Sequence, residues 1–188
     1  MSATTSSERA LARGWAALAA RRRAGLVTYL TAGLPSVAAS REAFRAADEL
    51  ADVIEVGVPF SDPLADGPTI QRSTFAALQA GMTLPGTLEL IGEVGFTRPV
   101  VLFSYLNPIL RYGLTRFLRD AASLGVAGLL LTDLPAGSDP AVEQELAASP
   151  LDLIRLLAPT TPPARLALAA AEARGFLYLV SRLGVTGA

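Results

Sequence analysis

Three residue types are absent from the 188-residue sequence, and each absence removes a class of chemistry. Without cysteine there are no disulfides, no thiol nucleophiles and no thiolate metal sites. Without histidine there is no Ser-His-Asp machinery and no imidazole-based zinc site. Lysine is the third, so all 16 basic residues are arginine. Schiff-base catalysis, covalent pyridoxal attachment and a P-loop are thereby excluded. Acid–base catalysis is left to Asp, Glu or Tyr, and no metal site is expected. Net charge is scarce too. The formal net charge is −1, and no basic run exceeds Arg21-Arg22-Arg23, which disfavours nucleic-acid binding. No apolar run approaches the ~20 residues of a membrane span. The arginine triplet before Gly25-Leu26-Val27-Thr28-Tyr29-Leu30 imitates a secretory signal, but a helical stretch precedes it and Gly33 and Pro35 break the run. A cytoplasmic protein is expected.

What remains is an apolar chain, 51% hydrophobic and 18% charged, that reads as globular. Ser6 to Ala24 has helical periodicity through Leu11, Trp15 and Leu18, with Ser7 as a candidate N-cap. Short apolar strand-like runs follow at Leu26–Leu30, Val53–Val56, Val100–Ser104, Leu129–Thr132, Leu153–Leu157 and Leu177–Val180. Helical patterns separate them at Val37–Leu50, Ile70–Ala80 with Leu84–Val94, Leu114–Leu124, Pro140–Ala147 and Pro162–Arg174. Runs this uniformly apolar suit parallel strands buried on both faces. The alternation predicts an α/β fold, and no Gly-x-Gly-x-x-Gly follows the first strand, so a barrel is favoured over a dinucleotide-binding sheet. Turn and polar residues gather after the strands, where a (β/α)8 TIM barrel builds its active face. About six βα units are present, residues 1–188 reading as a single barrel-type domain that stops after strand six. Two parallel edges would then lack partners, an aggregation hazard.

The chemistry concentrates in Glu55-Val56-Gly57-Val58-Pro59-Phe60-Ser61-Asp62-Pro63-Leu64-Ala65-Asp66-Gly67-Pro68. Proline fixes φ and glycine frees it, so this loop is shaped by its sequence. Glu55 shares a strand face with Val53, and in a barrel interior desolvation raises a carboxyl pKa toward the general-acid range. The competing reading is a strand-end glutamate reaching solvent. Asp66 is placed to N-cap the next helix, and Asp62 to initiate a turn at Pro63, although either would also suit a position facing Glu55. Tyr105 and Asn107 read as turn residues, Asp133 as a cap or turn residue, and Tyr178 as core. Gly184 and Gly187 around Thr186 make a loop suited to an anion, on weak evidence.

These blocks, together with Thr31-Ala32-Gly33-x-Pro35, Tyr105-x-Asn107-Pro108, Asp133-Leu134-Pro135, Ala158-Pro159-Thr160-Thr161-Pro162 and Ser181-Arg182-x-Gly184-Val185-Thr186-Gly187, resemble the tryptophan synthase alpha chain family from about Leu26 onward. The resemblance implies a (β/α)8 barrel and retro-aldol cleavage of indole-3-glycerol phosphate to indole and glyceraldehyde 3-phosphate, in tryptophan biosynthesis. Glu55 matches the general acid–base, and Asp66 the carboxylate that engages the indole N–H. Tyr29, Ile70, Phe103, Leu130, Thr132 and Tyr178 match substrate-lining positions. Thr186 matches a loop threonine that closes on the aspartate, and Gly187 a phosphate-contacting glycine. Asp62, Pro63, Tyr105 and Asn107 match loops that face a beta chain in an α2β2 heterotetramer. Pyridoxal phosphate is expected only in that partner, with no cofactor in this chain.

Two departures stand out. Leu34 replaces the Asp or Tyr common in the first loop, and two further βα units, which carry most of the phosphate-binding amides, are not seen after Ala188. The 188-residue form is therefore expected to be poorly soluble and inactive alone. The alternative readings are an inactive chain that only contacts the beta subunit, and another phosphate-binding barrel such as an isomerase.

Overall fold

The computed structural model describes residues 9–181. Helix α1 (Ala10–Ala20) precedes β1 (Val27–Thr31), α2 (Val37–Leu50) and β2 (Val53–Gly57). Two helices, α3 (Pro68–Gln79) and α4 (Leu84–Val94), lead to β3 (Val100–Ser104). Then come α5 (Leu106–Tyr112), α6 (Leu114–Ser123), β4 (Val126–Leu131), α7 (Pro140–Ala148), β5 (Asp152–Leu157), α8 (Pro163–Glu172) and β6 (Leu177–Leu179). All neighbouring strands run parallel, in the order β1-β2-β3-β4-β5-β6. Each helix crosses back to start the next strand, as parallel pairing requires. The sheet curls into a half-barrel. Val27 from β1 and Tyr178 from β6, its two outermost strands, line one cavity of about 170 Å³ with Glu55 between them.

Residue alternation sorts the strands onto two faces. Ile54, Val56, Leu102, Leu129, Leu131 and Leu153 point outward into the main core, where Phe44, Leu88, Ile91, Phe117 and Leu146 come from the helices. Val53, Val101, Leu130 and Ile154 point inward and pack on Leu11 of α1, with Trp15, Phe103 and Tyr178 at the margin. Helix α1 thus lies across the N-terminal mouth of the sheet. Arg9 holds it there, donating to Asp152 Oδ1 at 3.0 Å at the start of β5.

Four details differ from the sequence reading. Helix α1 starts at Ala10 with Arg9 at its N-cap and no capping side chain, while Ser7 lies outside the described residues. Asp66 does not cap α3; Gly67 occupies that position, with Pro68 opening the helix. Tyr105 and Asn107 do not form a simple turn, because α5 begins at Leu106. Its short length and the proline within it hid the helix from periodicity. Asp133 does cap, but across the chain: its Oδ1 accepts the Leu106 N–H at 2.8 Å, at the head of α5.

Candidate active site

Glu55 sits at the centre of the inner face. Its register partners are Tyr29 on β1 and Val101 on β3. The residue is 3% exposed, and among the described residues Oε1 is buried with no hydrogen-bond partner. Burial pushes its carboxyl up to about 7, and among the described residues no cation acts on it to offset the lost hydration. A carboxyl titrating there is half protonated at neutral pH, the condition that suits one group to give and take a proton.

Asp66 lies in the loop after β2. Its backbone carbonyl accepts from Gln71 Nε2 at 2.8 Å, which stitches the loop to α3 and leaves the carboxylate unspent on capping. Burial raises its pKa, while the Tyr105 hydroxyl beside it pulls the other way. Tyr105 is 5% exposed, its ring 5.0 Å from that of Phe60, and its hydroxyl accepts the Ala65 N–H at 2.9 Å. With that lone pair engaged, the phenolic proton faces Asp66. The Tyr105 side chain is thus buried beside the Asp66 loop, where the family pattern matched its loop to a partner-facing one. Burial and the Asp66 charge push its pKa up to about 12.

An aromatic wall completes the inner face. Phe103 meets Tyr29 edge-on at 5.3 Å and Tyr178 at 6.1 Å. Leu130 is buried beside Phe103 in the register, and the Thr132 hydroxyl just beyond β4 is buried without a partner among the described residues. Tyr178 is half-buried at the margin of the inner cluster, and burial first, then the Glu55 charge, raise its pKa. Ile70 lies in the first turn of α3, its carbonyl accepting from Ser73 Oγ at 2.8 Å. Thr186 and Gly187 fall outside the described residues. Asp62 and Asn107 are exposed and Pro63 half-exposed at the rim. Sequence reasoning gave Ser73 no role; its hydroxyl lies 2.8 Å from Thr31 Oγ1 at the end of β1.

Among the described residues no group of three or more carboxylates is placed to hold a metal ion. A parallel αβ half-barrel with a buried carboxyl whose pKa is raised to about 7, a second carboxylate on the following loop and an aromatic wall defines a barrel-type protein with a candidate acid–base site. Comparison narrows the class. The family model described as tryptophan synthase alpha chain matches residues 15–188. The tryptophan synthase alpha chain of Desulfatibacillum aliphaticivorans is 48% identical over 174 residues, which are 91% of this chain and 66% of that one. That of a Cyanothece strain is 45% identical, covering 92% and 66% respectively. The Mycobacterium tuberculosis tryptophan synthase structure superposes with a TM-score of 0.87 at 41% identity, over 94% of this chain and 70% of its own. The chain belongs to the tryptophan synthase alpha chain family, and its fold is that of the family's TIM barrels. It spans about 66% of the length of the curated relatives it matches.

Proposed function

We propose that this chain catalyses the alpha reaction of tryptophan biosynthesis, the lyase step that splits indole-3-glycerol phosphate into indole and glyceraldehyde 3-phosphate. The single observation that carries the reading is Glu55, a buried carboxyl with an unpartnered oxygen and a pKa of about 7, set on the same inner face as an aromatic wall, with Asp66 on the loop that follows its strand. Protonated Glu55 delivers its proton to ring carbon C3, and the positive charge that develops at the ring nitrogen is met by the Asp66 carboxylate. The bond from C3 to the side chain then breaks, its electrons returning to the ring. The adjoining hydroxyl becomes the aldehyde and gives its proton to the Glu55 carboxylate, so the proton count closes. Tyr29, Phe103, Leu130 and Tyr178 shape the slot for the ring, with Ile70 and Thr132 at its rim; the matched Thr186 and Gly187 would follow from the family pattern.

The reading takes residues 1–188 as one barrel-type unit, working in the cytoplasm with a beta-type partner that holds pyridoxal phosphate, while this chain uses none. The rim supports the partner. Asp62, Pro63 and Leu64 join Phe60 and Phe75 along a groove of about 620 Å³, and Leu64 is 90% exposed and Phe75 63%. Large apolar side chains clustered in the open suit a protein interface. The test is indole release from indole-3-glycerol phosphate by the wild type and Glu55→Gln, each in a full-length form that carries the two further βα units. Glutamine keeps the shape and cannot exchange the proton, so turnover should fall by at least about a hundredfold. Undiminished turnover in the variant would remove Glu55 from the chemistry.

A further inference from the structure

Helix α3 is anchored to the sheet by little apolar surface. Its buried side chains are Thr74 and Ala77, both small, whereas α2 buries Phe44, α4 buries Leu88 and Ile91, and α6 buries Phe117. Its one aromatic side chain, Phe75, is exposed along the rim groove. Small side chains interlock weakly with the surface beneath them, so they leave a helix free to slide and rotate. A directional contact then decides where the helix sits.

Ser73 supplies that contact. Serine is a poorer helix former than alanine, so within α3 its hydroxyl is a local cost. The hydroxyl has one proton, which goes to the Ile70 carbonyl at 2.8 Å, and it therefore accepts from Thr31 Oγ1, also at 2.8 Å. Thr31 closes β1, is buried, and pairs in register with Gly57, two residues beyond Glu55 on β2. One end of the bridge thus lies in the strand beside Glu55 and the other in the first turn of α3. From that turn Gln71 Nε2 donates to the Asp66 carbonyl at 2.8 Å, while the neighbouring Ala65 N–H donates to Tyr105 Oη at 2.9 Å.

We propose that Ser73 is a positioning residue for the alpha reaction, its hydroxyl locking α3 to β1 so that the loop before the helix holds Asp66 in place relative to Glu55. The inference rests on the function proposed above. Ser73 touches no reacting atom and acts through Asp66. In that function Asp66 meets charge that develops only once the proton is delivered, so a looser Asp66 slows turnover and leaves substrate binding alone. The net worth of one hydrogen bond between neutral groups sets the size of the effect, about three- to tenfold.

Two measurements test it. On the chain itself, Ser73→Ala should quicken amide hydrogen exchange at Ala65 about three- to tenfold and leave it unchanged at Ile54 of β2, whose N–H is held by the Pro99 carbonyl. In a full-length form that carries the two further βα units, Ser73→Ala should lower kcat for indole release about three- to tenfold, with KM within about twofold. Ser73→Thr keeps the hydroxyl and should restore both. Thr31→Val should reproduce the Ser73→Ala loss and add nothing to it in the double variant. Wild-type exchange or wild-type kcat in Ser73→Ala, equal quickening at Ala65 and Ile54, or no rescue by Ser73→Thr would overturn the inference while leaving the alpha reaction standing. A full-length wild type that releases no indole would overturn both.

Discussion

Glu55 carries a cost in stability that the proposed chemistry would use. An unfolded chain holds it near 4.5, the folded one at about 7. Below about pH 4.5 it is neutral in both states and costs nothing. Between about 4.5 and 7 the unfolded chain releases the proton and the native one retains it, so stability falls as pH rises through that window. Above pH 7 the deficit is constant at about 3 kcal/mol. Glu55→Gln should therefore be more stable than wild type by roughly that amount in urea unfolding at pH 8–9, with the difference vanishing by pH 4. A variant of unchanged stability at both pH values would mean that Glu55 is hydrated in the folded protein. The gain in stability would accompany the loss of indole release, since the property that destabilises the fold is the one that suits the proton transfer.

At the scale of elements, the site is assembled from pieces that hold one another at their ends. Helix α5 starts one residue after Tyr105, and its first N–H is satisfied by Asp133, which lies just beyond β4. The loop that carries Asp66 is pinned by the Tyr105 hydroxyl through Ala65 and by Gln71 of α3. Asp133→Ala should cost about 1 kcal/mol in chemical denaturation, as removal of a helix cap does, and Asp133→Asn should restore most of it because the amide oxygen still accepts. An alanine variant as stable as wild type would show that water replaces the cap. The alternation of apolar residues made every strand and most helices visible in advance. Val37–Leu50, Leu84–Val94 and Val100–Ser104 match the observed bounds residue for residue, since Ser36, Thr83 and Gly95 mark helix ends by side-chain caps and a left-handed stop. Helix α5 was invisible because seven residues containing a proline carry almost no period.

Over the whole molecule the half-barrel offers two candidate faces. The inner one holds Glu55 and the aromatic wall, with the Asp66 loop following β2; the rim beyond β2 holds an apolar groove around Leu64 and Phe75. Leu64→Glu would place a charge at the centre of that groove. It should weaken association with a beta-type partner more than tenfold in a pull-down or calorimetric titration, since burying an unpaired charge is costly. The unfolding midpoint of the free chain should not move, because the side chain is 90% exposed. Unchanged association would direct the partner to another face. On the far side, Arg155 of β5 is 4% exposed and held by Glu143 at 2.5 Å and Glu172 at 2.7 Å. That ion cluster ties α7 and α8 to the sheet, and sequence gave no hint of it because its members lie on three separate elements.

Period and composition alone were enough to establish a parallel α/β chain, because burial on both faces demands continuous apolar strands and an amphipathic helix between each pair. Elimination of lysine, histidine and cysteine was enough to leave carboxylates as the acid–base candidates. What no stretch of sequence states is which carboxylate loses its water. Glu55 and Asp66 are the same functional group eleven positions apart, and their different environments arise from the curl of the sheet, which encloses one and leaves the other beside Tyr105. The hydrogen bond between Thr31 and Ser73 likewise exists only because β1 and α3, 42 residues apart along the chain at this point, are brought within reach. Such distances are set by packing, and packing is a property of the folded whole.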